Sequence, residues 1–112
     1  MKKRKRSISN FDEVVDELKH QTIMKLQFMF PELRKAKKRG EHYYTKCPFH
    51  RETHPSLSIF HKDVFRIGFT CFGCHRAGTV IDYYMKRTGY SFKRSLIDLC
   101  RIYKIKIEWR NT

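Results

Sequence analysis

The sequence predicts an α+β domain in which antiparallel strands are flanked by helices and organised by one metal ion. Three observations support this fold class. Alternating apolar residues indicate strands in the middle of the chain, and apolar residues at helical spacing indicate helices towards both ends. Four cysteine and histidine side chains also occur as two closely spaced pairs, a pattern typical of metal ligands. A chain of 112 residues has room for one such core.

The charge balance indicates a polyanionic partner. Lysine and arginine number 25 against 11 aspartate and glutamate residues, which gives a formal net charge of +14 and a pI near 9.9. Such an excess repels itself unless phosphates neutralise it, and a solvated basic face kept for solubility is the plainer alternative. We favour nucleic acid over a membrane surface, because no long amphipathic basic helix stands out.

Neither a secretion signal nor a membrane span is expected. No apolar run is long enough to cross a bilayer, and the basic N-terminus is not followed by a continuous apolar stretch. The expected location is therefore cytoplasmic, where structural disulfides are rare. The four cysteines are then either metal ligands or buried thiols, and their spacing decides between these roles.

The N-terminal part of the chain divides into an arm and a helix. Residues 1–10 are basic and polar without apolar periodicity, so we expect a flexible arm there and the domain itself over residues 11–112. From Asn10, a residue suited to an N-cap, residues recur at helical spacing from Phe11 as far as Thr22. Acidic residues fill the first turns, where the helix dipole stabilises them.

Strand patterns occupy the middle of the chain. Arg39-Gly40 is a turn signal before the aromatic segment 42–46, which predicts a β-hairpin that leads into Cys47. Segments 56–61 and 64–71 are two further strand candidates. In the second of them apolar residues alternate with polar residues and glycine, so one face is predicted to be core and the other exposed.

Two more helices and a final strand are predicted near the C-terminus. Segment 79–88 carries apolar residues at helical spacing and is followed by Gly89, a common helix stop. Ser91 is suited to cap the next helix, and the tail 104–109 alternates in the manner of a closing edge strand. The side chains predicted to be buried by the last helix are Phe92, Leu96, Leu99, Cys100 and Tyr103.

The two ligand pairs predict one structural zinc ion. Cys47 and His50 form the first pair, Cys71 and Cys74 form the second, and each pair has the two-residue spacer that lets a tight turn aim both side chains at one ion. Three thiolates and one imidazole complete a tetrahedral set without an open position for water or substrate, so the ion is expected to act through folding. The alternatives are buried core cysteines and a redox pair, which this spacing does not favour.

These pairs and their neighbouring motifs resemble a known family. Cys47-Pro48-Phe49-His50, Pro55-Ser56 and Phe69-Thr70-Cys71-Phe72-Gly73-Cys74 are similar to the N-terminal zinc-binding domain of bacterial and phage replicative DNA primases. The basic run Lys37-Lys38-Arg39-Gly40, followed by Tyr43-Tyr44, resembles the basic hairpin of that family. The resemblance covers roughly residues 11–105.

The resemblance implies a zinc-ribbon fold and a function in priming. In the family, the domain reads single-stranded DNA template and helps a separate polymerase domain to begin an RNA primer. The ligand roles carry over onto Cys47, His50, Cys71 and Cys74. Glu52-Thr53-His54-Pro55 departs from the family pattern, which has a lysine in this run, and the sequence ends at Thr112 before any polymerase domain. We therefore expect a binding module, not an enzyme by itself, that acts in trans with a primase polymerase subunit or a helicase.

A nucleic-acid surface is expected on one face of the strands, because unpaired bases stack on aromatic rings while lysine and arginine meet phosphates. The residues predicted to form it are Tyr44, Lys46, Arg51, Ser58, Phe60 and Arg66. Two other functions remain open on the sequence alone. One is a zinc-ribbon regulator that binds duplex DNA, and the other is a replisome interaction protein of a phage or mobile element.

Overall fold

A computed structural model describes residues 6–50, 55–60 and 68–111. Its centre is a five-stranded antiparallel sheet with the strand order β2-β3-β4-β5-β6, and a separate two-stranded sheet joins β1 to β7. In chain order the strands are β1 (Arg6–Ile8), β2 (Lys37–Arg39), β3 (His42–Thr45), β4 (Leu57–Phe60), β5 (Gly68–Cys71), β6 (Ala77–Gly78) and β7 (Trp109–Asn111). The predicted fold class is confirmed.

Helices cover one side of the central sheet. They are α1 (Phe11–Lys19), a 3-10 helix (Ile23–Phe28), α2 (Pro31–Arg34), α3 (Val80–Thr88) and α4 (Phe92–Tyr103). Helix α3 packs on β5 and β6, and α1 and α4 pack on α3. Tyr83 of α3 is fully buried against the rings of Phe49 and Phe69, so this helix joins the metal-bearing strands to the helical layer.

The predicted end of α3 and the predicted start of α4 are confirmed. Helix α1 ends at Lys19, short of the predicted Thr22, which instead caps the 3-10 helix. Thr79 and Asp82 form a reciprocal capping box at the start of α3, and Gly89 ends that helix in the left-handed conformation with φ 77°. Ser91 accepts a hydrogen bond from the Arg94 backbone N–H at the start of α4. Asn10 occupies the N-cap position of α1, but its side chain bonds the C-terminal segment instead of its own helix.

Both ends of the chain differ from expectation, because they pair with each other. Residues 6–8 belong to the predicted flexible arm, yet they form β1 and pair antiparallel with β7. The predicted edge strand over 104–109 is wrong for most of its length, because β7 begins only at Trp109. Lys104 adopts the left-handed backbone conformation with φ 59°, and the Ile105 N–H bonds the Cys100 carbonyl at 2.8 Å. This turn returns Ile105 to the core, where it is 8% exposed.

The register of the central sheet defines two faces. Tyr43, Ile59 and Phe69 share one row, and this inner face packs against the helices. Lys37, Tyr44, Ser58 and Thr70 share the next row, which defines the outer face. The alternation is the ordinary period of two along a strand, so residues of a row touch across strands while their sequence neighbours face the other way.

Candidate metal centre and nucleic-acid interface

The four predicted ligands meet at one end of the central sheet. The Sγ atoms of Cys47, Cys71 and Cys74 and a ring nitrogen of His50 all lie within 4.8 Å of one another. Cys47 Sγ lies 3.9 Å from Cys74 Sγ, and His50 Nε2 lies 3.1 Å from Cys71 Sγ. Residues that are 27 positions apart in sequence therefore converge on one point.

This cluster fits a zinc ion. A tetrahedral ion about 2.3 Å from each thiolate sulfur requires sulfur atoms about 3.8 Å apart, close to the separation of Cys47 and Cys74. Three sulfurs and one imidazole nitrogen are also the donor types that zinc prefers. Within the part of the chain that the structure describes, this is the one group of cysteine, histidine or acidic side chains that lie close enough together to hold a metal ion.

Each ligand pair is set by a tight turn that follows a strand. After β3, the Phe49 N–H points at Cys47 Sγ at 3.4 Å, and after β5 the Cys74 N–H points at Cys71 Sγ at the same distance. The second turn is closed by the His75 N–H bonding the Cys71 carbonyl at 2.9 Å, with His75 at φ 64°. Backbone N–H groups aimed at sulfur stabilise the thiolate form that a metal ion needs.

The two innermost thiols have pKa values shifted in opposite directions. Burial raises the pKa of Cys47 to about 12, with the neighbouring sulfurs of Cys71 and Cys74 adding to the shift. Burial also acts to raise the pKa of Cys71, but hydrogen bonds from Ser56, the Cys74 backbone and His50 outweigh it and lower the pKa to about 6. Crowded thiols resist carrying negative charge together, and a divalent cation among them removes that conflict.

Gly73 is the residue whose small size lets His50 reach the cluster. A Cβ atom at this position would lie 2.8 Å from His50 Cε1 and 3.0 Å from His50 Nε2, and it would also crowd the Ser56 hydroxyl at 3.1 Å. Any larger residue would displace the imidazole ring. The sequence predicted the neighbouring ligands but not this close approach, because Gly73 and His50 belong to segments far apart in the chain.

We predict that Gly73→Ala weakens zinc affinity by about tenfold, as displacement of a residue that supports a ligand does. Competition with a chromogenic chelator measures the affinity. Gly40→Ala is the matched control, because Gly40 has φ 63° and no atom within 4 Å of a built Cβ, so strain of about 1 kcal/mol is expected there without loss of zinc. Equal zinc affinity for Gly73→Ala and the unaltered chain would contradict the close approach of Gly73 to His50.

Cys100 and His75 lie outside the metal cluster. Cys100 is 1% exposed on the buried side of α4, where it acts as a small core residue. His75 is exposed and directly follows the second ligand turn. His54 and His61, which are near the ligands in sequence, lie outside the described residues.

Two residues of the predicted nucleic-acid surface are buried in the structure. Ser58 is 1% exposed and Phe60 is 6% exposed, although both lie on the outer face of the sheet. The reason is His42 on the neighbouring strand, whose Nδ1 lies 3.0 Å from Ser58 Oγ and whose ring packs edge-on against Phe60 at 4.5 Å. A central strand whose outer face is covered in this way offers no surface for a base.

Of the other four predicted contacts, two are accessible to solvent and two lie outside the described residues. Tyr44 is partly exposed and Lys46 is exposed, on the edge of the sheet formed by β2 and β3. Arg51 and Arg66 lie outside the described residues. Tyr44 and Lys46 line a groove of about 410 Å³, which we call the basic groove; its lining residues are Lys35, Lys37, Arg39, Tyr44, Thr45, Lys46 and Pro55.

Three cations of the basic groove were not among the predicted contacts: Lys35, Lys37 and Arg39. Gly40 and Glu41 form the two-residue turn of the hairpin, so Lys37 pairs with Tyr44 and Arg39 pairs with His42 on the outer face. The two-residue turn after Arg39 specifies this register, so the pairing was present in the sequence as a signal. The basic hairpin was noted as part of the family resemblance, but its residues were not assigned to the surface.

A metal cluster held between two strand ends, on an antiparallel sheet flanked by helices, defines a zinc-ribbon domain. Comparison with known families agrees. A family model described as CHC2 zinc finger matches residues 9–112, and the chain belongs to this family.

Sequence relatives are DNA primases. The chain is 37% identical to a DNA primase of Buchnera aphidicola over 76 residues, covering 68% of this chain and 13% of the relative. It is 36% identical to a DNA primase of Enterococcus faecalis over 86 residues, covering 75% of this chain and 13% of the relative. The chain therefore spans about an eighth of the length of these relatives.

A solved structure shares the fold. The chain is similar to the Aquifex aeolicus primase, in a crystal structure of its zinc-binding and RNA polymerase domains, with a TM-score of 0.69 and 26% sequence identity. The match covers 85% of this chain and 22% of that one. Within the described residues of the present chain, no helix is both long and apolar enough to cross a membrane.

Proposed function

We propose that this domain binds single-stranded DNA template and supports RNA primer synthesis in DNA replication. The observation that carries the proposal is the basic groove, in which four cations and the ring of Tyr44 share one edge of a metal-organised sheet. Cations neutralise phosphates, and an accessible aromatic ring stacks on an unpaired base. This combination suits a single strand better than a duplex, whose bases are already stacked.

The zinc ion has a structural role in this proposal, with one ion held by Cys47, His50, Cys71 and Cys74. Four protein ligands satisfy the ion, so it positions the strand ends that carry the basic groove and takes no part in a reaction. Cys47 directly follows the groove residue Lys46, which supports a short mechanical link between metal and groove.

Polymerisation in this proposal belongs to a different domain or subunit. The domain acts in trans with a primase polymerase subunit or a helicase, in the cytoplasm, and contributes template binding. Support comes from the relatives, which are DNA primases, and from the Aquifex aeolicus primase structure, in which a zinc-binding domain accompanies an RNA polymerase domain. A primer synthesis assay with a primase polymerase domain, with and without this chain, tests the cooperation, and a primer yield independent of added chain would reject it.

We predict that Lys46→Ala weakens binding to a single-stranded oligonucleotide and lowers the slope of log affinity against log salt by about 0.7, the loss of one phosphate contact. Fluorescence anisotropy over a salt series measures both quantities. Lys93→Ala is the matched control, because Lys93 is an exposed lysine at the start of α4, outside the groove, and its replacement removes the same charge.

Two results would contradict the template-binding proposal. Equal losses for Lys46→Ala and Lys93→Ala would mean that net charge, not the basic groove, determines affinity. Tighter binding to a duplex than to a single strand of the same sequence would favour a duplex-binding regulator instead.

A further inference from the structure

Phe72 lies at the tip of the second ligand turn and is the most exposed large hydrophobic side chain among the described residues, at 64%. Its neighbour Cys71 belongs to the metal cluster, and its other neighbour, Gly73, leaves room for the His50 ring. An exposed aromatic ring on a turn held by two metal ligands loses water contact only when something binds over it.

A backbone hydrogen bond places Phe72 beside the segment that lines the metal end of the basic groove. Ser58 pairs with Thr70 and Leu57 pairs with Cys71, and the Phe72 N–H continues this ladder by bonding the Ser56 carbonyl at 2.9 Å. β5 ends at Cys71, so Phe72 is the first residue of the ligand turn and its backbone stays beside the start of β4.

The same register connects Phe72 with the basic groove. Tyr44 pairs with Ser58, so Lys46 lies opposite Ser56 by continuation of the β3–β4 ladder. Lys46, Ser56 and Phe72 are therefore neighbours along the backbone just beyond the strand ends, at the metal end of the sheet, while the Ser56 hydroxyl itself turns to Cys71 Sγ at 3.4 Å. Pro55, which precedes Ser56, lines the groove at this end.

Strand spacing gives the separation of the two aromatic residues. Phe72 and Tyr44 are two strands apart across the sheet and one row apart along it, which corresponds to about 12 Å. Bases stacked in a regular strand are about 3.4 Å apart. Two bases held at backbone positions about 12 Å apart are therefore further apart than neighbours in a stack.

We propose that Phe72 stacks on an unpaired base of the strand that occupies the basic groove and so forms a second stacking position at the metal end. This inference rests on the proposed template-binding function. Lys46, which lines the same end of the groove as Pro55, meets the phosphate beside that base. Because the metal ligands hold the turn, zinc binding sets the position of the stacking ring directly.

The test uses the zinc-loaded full chain and a fluorescein-labelled single-stranded DNA 12-mer. We expect Phe72→Ala and Phe72→Leu to weaken binding about tenfold, since stacking on one base is lost in both, while Phe72→Trp retains affinity. The salt slope stays unchanged in all three variants, because no phosphate contact is removed. Zinc content of each variant is measured alongside, so that loss of the metal is recognised.

Phe28→Ala is the matched control. Phe28 is 61% exposed, at the end of the 3-10 helix, and does not line the basic groove. Affinity of Phe72→Ala within twofold of the unaltered chain, or an equal loss in Phe28→Ala, overturns the inference while leaving the proposed function intact. Failure of the unaltered chain to bind the oligonucleotide overturns both.

Discussion

Cys71→Ala is expected to remove zinc and unfold the domain in one step. Cys71 is completely buried, ends β5 and belongs to both the metal cluster and the hydrophobic core. Binding of structural zinc contributes about 10–16 kcal/mol in small zinc domains, whereas a whole domain is stable by about 5–15 kcal/mol. The loss of one of four ligands therefore exceeds what the remaining contacts can offset.

Cys100→Ala is the control for this prediction. Cys100 is equally buried, so the substitution makes the same chemical change in the core without touching the metal, and we expect a loss of about 1 kcal/mol with full zinc content. Elemental analysis and thermal melting followed by circular dichroism measure the two effects. A Cys71→Ala protein that melts cooperatively without zinc would refute the structural role of the ion.

Arg87→Ala is expected to cause the second largest loss of stability. Arg87 of α3 forms a two-pronged ion pair with Glu32 of α2, with Nε to Oε1 at 2.5 Å and Nη2 to Oε2 at 3.2 Å. The buried Tyr83 hydroxyl donates to the same carboxylate at 2.7 Å. Glu32 is also tied to β3, since Thr45 Oγ1 donates to its backbone carbonyl at 2.7 Å.

The size of the loss follows from burial of the pair. The side chains are 12% exposed for Glu32 and 26% for Arg87, so removal of the guanidinium leaves a largely buried carboxylate with one hydroxyl as its remaining side-chain donor. Hydrogen bonds to charged groups and unpaired buried charges set the expected loss at about 2–4 kcal/mol. The Arg87 guanidinium also lies 4.6 Å above the Phe30 ring, and this contact is lost as well.

Arg94→Ala is the matched control, because Arg94 also lies over an aromatic ring, Tyr90, and faces a carboxylate, Asp98 at 4.0 Å. Its side chain is 60% exposed, so we expect less than about 1 kcal/mol from this pair. Urea unfolding of the zinc-loaded proteins measures both. Similar losses for the two arginines would contradict a special role for the buried pair.

The contribution of Arg87 also depends on pH in a defined direction. Burial acts to raise the pKa of Glu32, but the hydrogen bonds from Arg87 and Tyr83 outweigh it and hold the pKa below the ordinary value of 4.5. A lowered pKa in the folded state means that the stabilisation is present above about pH 4.5 and is lost as the pH falls through the folded pKa. The stability difference between Arg87→Ala and the unaltered chain therefore shrinks in acid.

The metal ligands, the end of α3 and the start of α4 could be predicted because their causes are local. The spacing of Cys47 with His50, and of Cys71 with Cys74, lets a single turn aim each pair at one point, whatever the rest of the chain does. Gly89 and Ser91 end and begin helices through contacts within four residues. The Arg39-Gly40 turn likewise predicted the hairpin of β2 and β3.

Burial on the outer face and the pairing of the two chain ends could not be predicted from strand periodicity. The alternation placed Ser58 and Phe60 on the correct face, but their coverage depends on His42, which is brought beside them by the β3–β4 register. Phe92 was predicted to be buried and is 39% exposed, because α4 begins at the surface, where the ring meets Phe11 of α1 at 6.0 Å.

The sequence by itself determined the fold class, the four ligands and the family resemblance, since each depends on spacing within a few residues or on motifs read in order. Only the tertiary structure decided which cations line the basic groove, which outer-face residues are covered, and where the first and last strands lie. Those features arise from contacts between residues far apart in the chain, and such contacts depend on strand register and helix packing, which periodicity does not specify.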